Sequence, residues 1–413
     1  MSKNIELASS ATQAEGVITV ANGIAKSTRP AVVQALLNDF SATAVQRDKN
    51  GGTAKRERDL IRKSGLLLLT IPEQLGGAGS DLNEVLNISR QIASVDSSLA
   101  HLFAFHHFQL ATLQLFSPRT QWEPLLEQTV QQGWFWANAL NPLDKRTEIE
   151  AGERAGEFFI NGSKSFCSGA NDSDMLIVSA LKAGVSGLAV AAIPTRRKGI
   201  TVHDDWDNIG QRQTDSGSVS FDHVALADSE ILREPGPLGS PFSSLRAPLG
   251  QLILTNIYLG IAEGVLAQSS NYVNEFVQPW WASKAEFASE DPYVLRNFGE
   301  YWVEVAGARA LTDLAQQKFQ ATFNLGNAVD EIIRGDVAIS VATAKVASAR
   351  AVLNVSSRVF EVLGARATAA KFGFDRFWRN ARTHSLHDPL DYKLQELGAW
   401  YLIGKFPTPS FYS

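Results

Sequence analysis

Between Asp336 and Leu363 the residues Val337, Val341, Ala344, Ser348, Val352, Val355, Val359 and Leu363 step by three and four, and only Ser348 among them is polar. That period predicts an α-helix. Alanine and serine fill the neighbouring positions and the opposite face is also poor in charge, so the helix is expected to be buried on more than one side by close-packed helices. Such a helix demands a bundle around it, and a bundle with that much apolar surface points to an oligomer.

The rest of the chain divides by texture. Up to about residue 133 it reads helical. Val32, Leu36, Leu37 and Phe40 fall at helical spacing, Glu57 to Gly65 is a helix closed by glycine, and further helices follow from Leu82 and Leu99. Ile71 to Gly79 is a loop punctuated by proline and glycine. Short Val- and Ile-rich segments then appear at 175–181, 187–193, 199–203 and 218–226. Asn161-Gly162, between Glu157-Phe158-Phe159-Ile160 and Lys164-Ser165-Phe166, is expected to turn a hairpin. Helical periodicity returns from about 245. The fold class expected is mainly α with a central β domain, divided as 1–136, 137–238 and 239–413.

Composition narrows the function. With a net charge of −5, nothing calls for nucleic acid or an anionic membrane. No run approaches the ~20 apolar residues of a membrane span. Met1 to Glu6 lacks a basic region followed by an apolar one, and the single cysteine, Cys167, suits a reducing compartment, so a cytoplasmic location is expected. Nine tryptophans and 22 phenylalanines could supply flat walls for a planar ligand.

The densest chemistry lies at 374–389. Arg376, Arg379 and Arg382 make one basic helical edge, and His384 and His387 share a face where Asp388-Pro389 should end the helix. Titratable groups gathered beside aromatics at an element's end can form a pocket or an ion-paired interface. His384, His387 and Asp388 have no obvious further metal ligand, so no metal is expected.

The collinear series Ser64-Gly65, Ile71-Pro72-Glu73-Gln74-Leu75-Gly76-Gly77, Ile160-Asn161-Gly162-Ser163-Lys164, Ile209-Gly210-Gln211-Arg212-Gln213-Thr214, Gly364-Ala365-Arg366 and Arg379-Asn380-Ala381-Arg382 resembles the acyl-CoA dehydrogenase superfamily. Phe166-Cys167-Ser168-Gly169-Ala170, Asp204-Asp205-Trp206 and Arg212 to Ser218 look like its branch typified by dibenzothiophene monooxygenase. The resemblance implies a helical N-terminal domain, a β-barrel-like middle domain and a C-terminal four-helix bundle. Together with the buried helix it implies a homotetramer. It further implies FMN used as FMNH2 from a separate flavin reductase, O2 as co-substrate, and a C4a-hydroperoxyflavin that oxygenates a small apolar, organosulfur substrate. Its site residues carry over as His101, Ser168 and His387 for catalysis. Asn138, Phe166, Ser168, Trp206, Arg366 and His384 would bind cofactor, and Phe105, His106 and Asp388 would line the substrate pocket. A second phosphate-binding arginine of the branch is Gln278 here, with Lys284 nearby.

Two other readings stand beside it. One is an FAD-dependent acyl-CoA dehydrogenase with Asp388 as base. In that family the base is often the glutamate of a Glu-Gly-Thr motif. His387-Asp388-Pro389 is one methylene shorter there, and a misplacement of ~1 Å costs on the order of a hundredfold. The other is a catalytically silent flavin-binding scaffold.

Overall fold

The computed structural model describes residues 24–144, 147–184 and 187–413, so the expectation drawn from Met1 to Glu6 lies outside the described residues. Five helices come first: α1 (Arg29–Asn50), α2 (Lys55–Lys63), α3 (Leu82–Val95), α4 (Ser97–Phe116) and α5 (Arg119–Gln132). Asp81 and Asp96 start α3 and α4 by accepting the Glu84 and Leu99 amides at 3.0 Å each, the usual device for satisfying first-turn donors. α4 has apolar residues on every face and is almost wholly buried, its polar side chains included.

Eight strands follow among the described residues: β1 (Trp136–Ala139), β2 (Glu148–Ala151), β3 (Glu157–Lys164), β4 (Met175–Lys182), β5 (Leu188–Pro194), β6 (Ile200–Val202), β7 (Val219–Ala227) and β8 (Ile231–Leu232). They pair in the order β6-β7-β3-β2-β4-β5-β8, with β1 running parallel to β4. The hairpin expected at Asn161-Gly162 is corrected. Both residues lie inside β3, where the register against β7 shifts between Ile160 and Gly162, and Gly162 takes φ 117°. A positive-φ glycine serves a bulge as well as a turn, and here the strand continues through it. Asn161 holds the bulge by accepting the His223 amide at 2.7 Å and donating to Glu150 at 3.0 Å.

The chain ends in α6 (Arg246–Phe276), α7 (Pro292–Phe323), α8 (Glu331–Arg358), the one-turn α9 (Phe360–Leu363), α10 (Asp375–Ser385) and α11 (Leu390–Ile403). The Val337-to-Leu363 stripe is buried throughout, and Ser348 meets the Thr312 hydroxyl of α7 at 3.0 Å. The one departure is a break at Val359, which divides the expected helix into α8 and α9.

One continuous apolar core joins the first five helices to the last six, while the sheet has its own. The joint is tightest between α3 and α6. A Cβ at Gly260 would lie 2.3 Å from the Arg90 carbonyl oxygen, and one at Gly264 2.0 Å from that of Ser94, so only glycine allows the contact. Residues 243–276 are long and apolar enough to cross a membrane, which the sequence reading had not anticipated, but 83% of the apolar window is buried in the fold. α7 and α11 leave Leu295, Trp302, Val303, Leu314, Tyr401 and Leu402 exposed.

Candidate active site

A cavity of about 390 Å³ opens where α4, the loops of the β domain, α6, α10 and the final residues meet. α4 presents His101 and Phe105 one turn apart, with ring centroids 3.8 Å apart and stacked. The His384 ring of α10 lies 4.9 Å from that of His101. From the β domain come Asn138, Phe166, Ser168 and Trp206, and beyond α10 come His387 and Asp388. Nine of the residues expected from sequence therefore meet around one space.

The loop carrying Trp206 is held from two sides. A Cβ at Gly210 would lie 2.2 Å from the Arg379 carbonyl oxygen of α10. Asn380 accepts the Gln211 amide at 2.7 Å, and the Gln211 side chain donates to Ser97 of α4 at 3.0 Å. The Trp206 indole donates to the Gln211 carbonyl at 2.8 Å, standing edge-on to Phe166. The Ser168 loop is clamped by Arg58 of α2. Its guanidinium donates to the Gly169 and Asp172 carbonyls at 3.0 and 2.8 Å and to the Asp215 carboxylate at 2.8 Å.

Ser168 heads a chain of hydroxyls whose direction is fixed. The Gln211 carbonyl can only accept, so Thr214 spends its proton there at 2.9 Å. Ser216, 2.7 Å from Thr214, must then donate to it, and Ser168, 2.8 Å from Ser216, must donate in turn. The cavity is thus offered lone pairs of Ser168, not its proton.

Donors come from the histidines. Burial holds His101 well below the ordinary imidazole range, helped by its proximity to His384 and His387, and burial pushes His384 down to about 3. Both rings are neutral at pH 7, each carrying one N–H. Both His101 ring nitrogens and Nδ1 of His384 are buried without a partner among the described residues. Buried polar atoms are ordinarily paired, so orphans gathered on a cavity wall mark groups that meet a ligand.

One expectation needs correction. His106 does not line the cavity. Its Nε2 donates to the Leu67 carbonyl at 2.9 Å and its Nδ1 accepts the Trp136 amide at 3.1 Å, tying α4 to β1. Arg366 is exposed and lines no part of its own chain's cavity. The basic edge of α10 is scaffolding: Arg376 bonds Gly373 and Gln268, and Arg379 bonds Asp375, Asp48 and the Ile209 carbonyl.

Asp388 is buried and engaged through one oxygen, while its Oδ2 is buried without a partner among the described residues. Its Oδ1 accepts from Lys345 of α8 and, at 3.1 Å, from His387 Nδ1. Burial alone would raise this carboxyl, but His387 and Lys345 outweigh it and hold the group well below the usual range. A carboxylate so stabilised is a poor proton acceptor. Cys167 is buried and burial pushes its thiol up, which makes it inert.

Sequence reasoning missed Lys345, Thr214, Ser216, Gln251, Tyr412 and Arg246. For Arg246 a signal existed, because it is the one cation in the 31 residues of α6.

Residues 26–132, 141–224 and 252–392 match the N-terminal, middle and C-terminal domains of acyl-CoA dehydrogenase. The chain belongs to the acyl-CoA dehydrogenase family. Within it the chain is 50% identical to a probable FMNH2-dependent monooxygenase, SfnC, of Pseudomonas putida, over 93% of this chain and 97% of that one. Its fold superposes on methanesulfinate monooxygenase MsuC of Pseudomonas fluorescens with a TM-score of 0.91 at 50% identity, covering 92% of this chain and 98% of that one. FMN-bound TdsC of Paenibacillus, a dibenzothiophene monooxygenase, gives a TM-score of 0.89 at 41% identity, covering 92% and 99%.

Proposed function

We propose that the chain is the oxygenase component of a two-component monooxygenase that uses FMNH2, supplied by a separate flavin reductase, and O2 to oxygenate an organosulfur compound. The observation that carries this reading is a cavity rich in neutral, unpartnered imidazoles whose only carboxylate is pinned as an anion. The groups that could take a proton from carbon are weak bases here, since His101 and His384 are pushed down by burial and Asp388 is held low by His387 and Lys345. A sulfur lone pair needs no base.

The wall fits a reduced flavin. Trp206, Phe166 and Phe105 are aromatic faces, Ser168 offers an acceptor to a ring N–H, and the orphaned histidine nitrogens await partners. The bound flavin supplies the electrons with which one atom of O2 reaches substrate and the other becomes water. Asn138, Ser168 and Trp206 position the ring in this proposal. His101 and His384 give neutral N–H donors on the substrate side while Phe105 excludes water. His387, oriented by Asp388, closes the opening. FAD-dependent dehydrogenation by Asp388 and a silent scaffold are the readings this one displaces.

The same proposal makes the assembly a homotetramer, because the apolar faces of α7 and α11 call for cover. Arg366, outside its own cavity, would then serve flavin phosphate at a subunit boundary, where Gln278 and Lys284 are also exposed. A cytoplasmic setting completes the reading. The test is ¹⁸O2 turnover with reductase, NADH and FMN. One ¹⁸O for each oxygenation step in a sulfoxide, sulfone or sulfonate product supports it. Acyl-CoA bleaching bound flavin, with no labelled product, overturns it.

A further inference from the structure

Beyond α11 the chain doubles back. Gly404 closes the helix in the left-handed region, and residues 405–413 run without helix or strand to the cavity wall, where Phe411 and Tyr412 stand. An irregular segment is ordinarily a mobile one. This one is fastened at several points. Phe406 lies so close over Gly335 of α8 that a Cβ there would sit 2.5 Å from its ring. Lys393 of α11, only 3% exposed, donates to the Tyr412 carbonyl at 2.6 Å, and Gln251 of α6 donates to the same oxygen. Arg334 of α8 donates to the Ser413 backbone oxygen, while the Ser413 hydroxyl donates to Glu396 at 2.6 Å. Hydrogen bonds from or to charged groups are the stronger kind, and three of these four are of that kind.

The two side chains on the wall are treated differently. The Phe411 ring packs against the main apolar core. Tyr412 makes all its hydrogen bonds among the described residues through its backbone, so its phenol holds nothing in place. The ring lines the cavity and meets the half-exposed His387 ring edge-on, with centroids 5.9 Å apart. Burial and the Asp388 carboxylate push the phenol up, so it stays neutral at pH 7. A large flat group on a fixed backbone, beside the opening and unused by the fold, presents a boundary to whatever enters.

We propose that Tyr412 is a specificity-determining residue, whose ring, carried on the fastened segment 405–413, sets how long a substituent on the substrate's sulfur the cavity accepts. This rests on the oxygenase reading above and adds what limits its substrate. Because the backbone contacts hold the segment, the ring can be cut back or enlarged without loosening the wall. The reach of the cavity then follows the size of the side chain.

The experiment is a chain-length series. The n-alkyl methyl sulfones from ethyl to octyl, titrated calorimetrically into the chain with oxidised FMN, report binding. The matching sulfides, supplied with reductase, NADH and FMN, report kcat/KM. One methylene more or less in an apolar pocket changes selectivity by about 10- to 200-fold. Y412A should therefore raise the octyl-to-ethyl ratio at least about tenfold in both readouts, and Y412W should lower it. Y412F, which keeps the ring, should keep the wild-type cut-off, with circular dichroism reporting the fold of all three. The same length profile in wild type and Y412A, or a uniform loss at every length, overturns the proposal. So does a Y412F profile that follows Y412A, since the hydroxyl and not the bulk would then be selecting. Failure to oxygenate any sulfide overturns the oxygenase reading, whereas the sulfone titrations decide the role of Tyr412 by themselves.

Discussion

Lys345 donates to Oδ1 of Asp388 across the boundary between α8 and the cavity, and their side chains are 1% and 9% exposed. Burial pulls the ammonium down, the carboxylate beside it offsets part of that, and Asp388 is held well below the usual carboxylate range. Breaking a buried pair strands the remaining charge. K345M should therefore cost about 3–5 kcal/mol in urea unfolding, and K345M/D388N should recover much of it. Equal stability of K345M and wild type would show the pair to be idle.

The hydroxyl chain behind Ser168 predicts a graded series. S168A removes the acceptor and should divert O2 consumption to hydrogen peroxide, read as product formed per NADH. T214V removes only the donor that anchors the chain to Gln211. It should lower that yield by about two- to tenfold, in line with general losses on disturbing a positioned contact. A T214V yield equal to wild type refutes the chain's role.

His106 and His101 should part company. H106A leaves the Leu67 carbonyl and the Trp136 amide unsatisfied and should destabilise by about 1–3 kcal/mol. H101A, whose ring nitrogens have no protein partner, should change flavin or substrate binding more than melting temperature. Thermal scans and FMN fluorescence titrations of the two variants check this.

The buried histidines set an acid limit on stability. His101, His106, His107 and His384 are all lowered by burial, His106 to about 4 and His384 to about 3. The unfolded chain binds their protons below about 6.5 and the folded chain does not, so stability falls as pH drops from 6.5 toward 4. The loss is on the order of 1 kcal/mol per pH unit for each histidine in that window. A melting temperature flat from pH 7 to 4.5 would contradict it.

Leu314 and Trp302 are 60% and 55% exposed on α7. If that face is covered by another subunit, L314E should shift the assembly to smaller species in light scattering while the helical signal stays. Unchanged mass would place the interface elsewhere.

What the sequence disclosed and what it hid follow from the range of the interactions. The Val337 stripe was legible because helical period is a local property. His101, Ser168 and His387 were reachable through family motifs, each of which spans a few residues. His106 was misplaced because five residues turn a helix by about 140°, so it faces away from His101. Arg246 and Lys345 escaped notice because their partners are distant in sequence, at Thr112 and Asp388. Asn161-Gly162 misled because the same backbone freedom serves a turn and a bulge.

Arg58 grips both the loop bearing Ser168 and the Asp215 beside the hydroxyl chain, although it belongs to the helical region and they belong to the β domain. The Ser168 edge of the cavity is consequently not a property of either domain. It exists only while the two are docked, so a molecule in which they have begun to separate has no weakened version of the site to run leaky oxygen chemistry with. Heat or denaturant should extinguish coupled turnover and wasteful peroxide release together, as one event.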